Sequence, residues 1–147
     1  MKIREQFESK ELQAPAIKIN EIMLNLKSVL EKLIKNTSLF ALSIKSSDEF
    51  PLCIITDKSD SISANVEQYF HIIDLDISVF DSSYTKCNEL VFNILQMLKS
   101  ADLKAMLKCI KSIEREHIEL ANKEAFKMSI KCELKYSTEH FAIWKRT

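Results

Sequence analysis

Hydrophobic and polar positions change period several times along this chain, and each change marks an element. Ile19, Ile22, Met23, Leu26, Val29, Leu30, Leu33 and Ile34 recur at helical spacing, which predicts an amphipathic helix from Glu21 to Lys35. Asn20 is its candidate N-cap, Lys32 and Lys35 suit the negative end of the helix dipole, and Asn36 ends it. Leu39 to Lys45 alternates and predicts a strand, followed by the polar residues Ser46 to Glu49. Phe50-Pro51 then opens a short apolar run, Leu52 to Thr56, which reads as a buried strand with proline at its first position. Asp57 to Asn65 is rich in Ser and Asp and reads as an exposed loop.

The second half carries cleaner periods. From Tyr69 to Phe80, Ile73, Leu75, Ile77 and Val79 point one way, and Asp74, Asp76 and Ser78 the other, which predicts a central strand. Asp81-Ser82-Ser83 supplies caps for a helix from Tyr84 to Lys99, with Cys87, Leu90, Val91, Ile94, Leu95 and Leu98 inward. Leu103 to Ile113 fits two periods: Leu103, Ala105, Leu107 and Cys109 alternate, while Leu103, Met106, Leu107 and Ile110 suit a helix. The charged turn residues and hairpin partner that follow favour the strand. That partner, Glu124 to Tyr136, alternates without a break from Phe126 through Met128, Ile130, Cys132 and Leu134. The tail from Ser137 ends in Phe141, Ile143 and Trp144, apolar residues on a short terminus. Residues 1–16, Met1 to Ala16, form a polar arm or short helix closed by Pro15, ahead of a single domain over 17–147. The expected class is α+β, a mostly antiparallel sheet with two principal helices packed on one face.

Composition narrows the function classes. None of the 147 residues is glycine, where average usage of about 7% would give roughly ten. No Walker P-loop, GxGxxG turn, GxSxG elbow or EF-hand loop can be written without it. Lys outnumbering Arg, with abundant Ile, Asn, Ser and Phe, is also what an AT-rich genome produces. Either way, left-handed turn positions fall to Asn, Asp or Ser, as in Ser46-Ser47-Asp48 or Asp57-Lys58-Ser59-Asp60. Lys plus Arg and Asp plus Glu both total 21, so the net charge is zero and opposes self-association little. The chain has no apolar signal core and no run long enough to span a bilayer, and it reads as soluble and cytoplasmic.

Four scattered cysteines, Cys53, Cys87, Cys109 and Cys132, lie in apolar or alternating runs, and each is expected to be a buried, reduced thiol. His71, His117 and His140 stand at no zinc-ligand spacing from them. Asp74 and Asp76 share one face of a strand, a spacing open to metal binding or acid–base work but matching a solvent face. His71 reads as a strand-end or core histidine. Glu114-Arg115-Glu116-His117-Ile118-Glu119 lacks HExxH or HxxEH and reads as a solvated turn with mutual ion pairs. Lys127, Lys131 and Lys135 form a charge row with no aromatic interleaving of the kind that binds nucleic acid. No catalytic, cofactor or metal residue is assigned.

With this order of elements, roughly Ile19 to Tyr136, the chain resembles the tail-terminator, or tail-completion, family of long-tailed phages, prophages and gene-transfer agents. The resemblance rests on the leading helix Glu21 to Lys35, the Pro-led Phe50-Pro51-Leu52-Cys53-Ile54-Ile55 and the variable loop after it. It continues in the long strand Ile72 to Phe80, the helix at once behind it, and the closing strand Phe126 to Tyr136. Two departures are the absence of Gly from the first long connection and a longer, more Lys-rich region from Leu103 to Glu119. The resemblance implies a non-enzymatic, cofactor-free assembly protein. Such a protein forms a homo-oligomeric ring, commonly a hexamer, that caps the tail-tube protein and docks the head-connector protein. It would be cytoplasmic during assembly and then part of the virion tail, with no membrane and no sequence-specific nucleic acid as partner. The expected contact residues are Asp57, Lys58, Ser59 and Asp60 in the first polar segment and Glu114, Arg115 and Glu116 in the second, with Met1 to Ala16 a further contact. The alternative is a small α+β protein-binding or regulatory module of a host or symbiont, and a third reading is an enzyme using the Asp74/Asp76 face.

Overall fold

The computed structural model describes residues 15–40, 49–64, 68–100, 106–120 and 123–139. Helix α1 spans Pro15–Glu31, followed by strands β1 (Asn36–Leu39), β2 (Leu52–Ala64) and β3 (Gln68–Asp81). Helix α2 (Tyr84–Ser100) then leads to β4 (Met106–Leu120) and β5 (Lys123–Glu139). The strands form one sheet in the order β1-β2-β3-β5-β4. Every pairing is antiparallel except β1 with β2, so the expected α+β fold is present with a mixed sheet.

Both helices cover one face of the sheet. Ile73, Ile77 and Val79 of β3 and Met128, Ile130 and Leu134 of β5 are fully buried there, against Leu26 and Leu30 of α1 and Val91 and Ile94 of α2. Burying each Leu, Ile, Val or Met side chain stabilises by about 1.5–3 kcal/mol. Among the described residues, no helix covers the sheet's other face, the open face. At one end it holds a smaller apolar cluster of Leu52, Ile54 and Phe80 with Phe50 and Ile118. Two β5 lysines lie on its rings, Lys123 at 4.0 Å from the Phe50 centroid and Lys127 at 5.8 Å from that of Phe80.

Several boundaries depart from the sequence pattern. Helix α1 begins at Pro15, where a missing N–H costs nothing, so Asn20 is exposed within the helix and caps nothing. It ends at Glu31, with the Leu33 and Ile34 amides donating to the Leu30 carbonyl at 3.0 and 2.9 Å. The first strand is Asn36–Leu39, and the remainder of the expected Leu39 to Lys45 strand lies outside the described residues from 41 on. Among the described residues, the left-handed position is taken by Phe40 at φ 59°, not by Asn, Asp or Ser. At α2 the expected cap holds, because Ser83 Oγ accepts from the Lys86 amide at 3.3 Å.

The two segments expected as loop and turn are strand. Asp57 to Ala64 continues β2, with a register shift between Asp57 and Ser59, and Glu114 to Glu119 continues β4. Their polarity has one cause. Strand β1 pairs only as far as Ile55, so among the described residues β2 is the sheet edge from Thr56 to Ala64, while β4 is the opposite edge. Neither edge needs an apolar row, because water reaches both faces there.

Candidate functional site

The expected contact residues therefore sit on opposite edges of one sheet. On β2, Lys58 is exposed at the bulge, its Nζ 3.7 Å from Asp76 Oδ2, and Ser59 Oγ donates to Asp74 Oδ2 at 2.9 Å. Asp57 is half-buried, while Lys58 through Ala64 are exposed, including Ile62 at 59%. On β4, Glu114, Arg115 and Glu116 are exposed, and Arg115 Nη2 donates to Asn88 Oδ1 of α2 at 2.9 Å. His117 lies 3.8 Å from Glu124 and against the Phe126 ring.

Between the edges, the open face carries an ion-pair ladder. Lys131 Nζ donates to Asp76 Oδ2 at 2.6 Å, and Lys111 Nζ lies 3.1 Å from Asp74 Oδ1 and 3.9 Å from Glu133 Oε2. The hydrogen bond from Lys111, then that from Ser59, holds the Asp74 carboxyl below its ordinary value, and Asp74 raises Lys111 in return. Asp74 and Asp76 thus face the open side as their alternation predicts, each matched by lysine. Among the described residues, no group of three His, Cys, Asp or Glu side chains is placed to hold a metal ion.

A second cluster lies under the helices, where β2, β3 and β5 meet. His71 is buried at 1% exposure, its Nδ1 3.1 and 3.2 Å from the two Asp60 carboxylate oxygens. Its Nε2 is 2.8 Å from Thr138 Oγ1, and the Tyr136 ring stacks on it at 4.3 Å. Tyr136 Oη donates to Asp60 Oδ2 at 2.8 Å, and burial with this acidic neighbour pushes the Tyr136 hydroxyl far above its ordinary value. Lys18 of α1 closes the end of the cluster by donating to the Ser137 carbonyl at 2.6 Å. Carboxylate, imidazole and hydroxyl stand in the order of a nucleophilic relay. Thr138, however, is 5% exposed, so its hydroxyl faces protein and not solvent. The arrangement ties the β2 edge to two interior strands. Of its members, the sequence pattern marks Asp60 as a contact and His71 as a strand-end or core histidine, and it does not mark Tyr136 and Thr138 as polar partners.

The cysteines divide. Cys53, Cys87 and Cys132 are buried as expected, but Cys109 is exposed, with its thiol 3.2 Å from Glu133 Oε1. The register shift between Leu107 and Cys109 moves Cys109 out of phase with the alternation, onto the open face opposite Glu133.

No family model matches the chain, and no curated protein matches it. Among solved structures it is similar to a chain of the virion of a native gene transfer agent (GTA) particle. That match has 12% identity and a TM-score of 0.47, covering 80% of this chain and 93% of that one. No helix among the described residues is long and apolar enough to cross a membrane.

Proposed function

We propose that this chain is a non-enzymatic virion assembly protein that closes into a ring, caps a phage-type tail tube and forms the surface on which the head docks. One observation carries the reading: the two contact segments lie on unlike, opposite edges of one sheet. A cyclic ring uses a heterologous contact, in which one surface of a copy meets a different surface of the next. The β2 edge, with Lys58, Ser59 and Asp60, and the β4 edge, with Glu114, Arg115 and Glu116, are such a pair. The His71 cluster supports this use by holding Asp60 in a fixed position on the β2 edge. The order of elements that resembles tail terminators supplies the tube and the head as partners.

The test adds the chain to polymerising tail-tube protein of the same phage and measures tube lengths by negative-stain microscopy. Tubes should stop short, with a ring at one end. Unchanged lengths with bare ends would overturn the reading and leave a protein-binding module in its place.

A further inference from the structure

Where β5 leaves the sheet, the open face carries a groove of about 520 Å³. Phe70 and Ile72 of β3, both half-buried, line it together with Ser61 and Ser63 of β2 and Lys135 of β5. Strand β5 runs past the groove and ends at Glu139, paired with Gln68. Eight residues follow, His140-Phe141-Ala142-Ile143-Trp144-Lys145-Arg146-Thr147, and they include the chain's single tryptophan. Extended, they reach about 27 Å.

We infer that residues 140–147 of one copy dock in this groove of a second copy. The segment's chemistry fits. In extended form Phe141 and Ile143 fall on one side, a match for the Phe70 and Ile72 wall. Lys135 at the rim suits an indole face, as Lys123 and Lys127 of the same strand already lie on the Phe50 and Phe80 rings. The direction of exit selects the second copy. The groove floor lies behind Glu139, since Phe70 pairs with Ser137 and Ile72 with Lys135. Entering its own groove would require the chain to reverse at once after Glu139 and double back over the open face. Strand β5 ends directed away from its own groove, the direction in which a neighbour's groove can be met. The inference deepens the ring reading, because a segment passed from copy to copy is itself a heterologous contact.

Trp144 makes the test direct, as the intrinsic tryptophan fluorescence arises from this segment alone. The full chain should show an emission maximum that shifts to the blue as protein concentration rises. Two variants separate the halves of the contact: a chain stopped after Glu139 has the groove and no segment, and Ile72→Asp has the segment and a spoiled groove. Each alone should associate about tenfold more weakly or worse. Mixing them should restore the blue shift, since the segment of one then meets the groove of the other. Far-UV circular dichroism confirms that each variant is folded, and Phe70→Ser replaces Ile72→Asp if the latter is not. Emission that is blue at every dilution, or red at every concentration, or a mixture that restores nothing, overturns the inference. If the shortened chain still forms rings and caps tubes, docking of the segment is wrong while the ring reading stands.

Discussion

Raising the pH from about 8 to about 10 should weaken the fold sharply, by an amount that follows from its buried thiols. Cys53 and Cys132 of the sheet and Cys87 of α2 lie between sheet and helices and are no more than 1% exposed. Burial pushes Cys53 from an ordinary 9.0 up to about 12, and burial followed by the Asp76 charge does the same at Cys132. Burial and the Asp81 charge carry Cys87 to about 11. In the unfolded chain these thiols ionise near the ordinary value, so above it the unfolded state binds fewer protons than the folded one. Stability that is fully present below pH 9.0 is therefore lost as the pH climbs toward the folded values. At a pH one unit above 9.0, ionisation stabilises the unfolded state by roughly 1–2 kcal/mol per thiol and a folded thiol near 12 hardly at all. Cys53 and Cys132 together then remove about 3 kcal/mol, and Cys87 acts in the same direction. That is a large part of a typical total of about 5–15 kcal/mol. Urea unfolding under reducing conditions, followed by circular dichroism at both pH values, measures the loss. Cys53→Ala and Cys132→Ala should each flatten the dependence. A stability that stays level across the interval, or a slope unchanged in the double variant, would refute the reasoning.

Leu75→Ala, at 1% exposure in the middle of β3, should cost about 2–5 kcal/mol in the same urea assay; a cost under 1 kcal/mol would mean the site is not a packed core. With a thiol reagent on the native protein, Cys109 should react promptly and the other three only after unfolding, which mass spectrometry of the labelled peptides resolves. A double-mutant cycle of Asp60→Ala with Tyr136→Phe should show a coupling of about 1 kcal/mol, below the usual range for a charged hydrogen bond because the Asp60 side chain is 34% exposed. Additive losses would mean that the two groups do not support each other.

The sequence reveals elements wherever one face is buried and the other wet. Strands β3 and β5 and helix α2 follow their periods almost to the residue, because a helix-covered face demands an apolar side chain at every second or every third to fourth position. Where the structure removes that demand, the pattern disappears. Asp57 to Ala64 and Glu114 to Glu119 are strands at the sheet edges, mostly polar but for Ile62, Ala64 and Ile118, and in sequence they look like loops. Their pairing is decided by the neighbouring strand, which local composition does not record. Cys109 was misplaced because a single inserted residue inverts an alternating phase, and nothing in the chain announces a bulge. The His71 cluster joins positions 11 and 67 residues apart, beyond any spacing rule. One signal was available: His71, Tyr136 and Thr138 all occupy inward positions of otherwise apolar rows, and polar side chains there need partners.

The charges along the β4 edge decide how this sheet meets another of its kind. Two copies joined there by a two-fold axis would set residues i and j opposite each other with i + j constant and even. Centring the axis on Glu114 puts Glu114 against itself, and centring it on Glu116 does the same for Glu116. Centring it on Arg115 opposes the two arginines and sets Glu114 against Glu116. Each of these three registers places like charges directly across the seam, an arrangement that destabilises strand pairing. The bulges around Lys108 and Lys111 break the hydrogen-bonding row at the other end of the strand. In a chain of zero net charge, with little long-range repulsion to keep copies apart, these local charges disfavour two-fold pairing about Glu114 to Glu116 and tilt the edge toward an unlike surface.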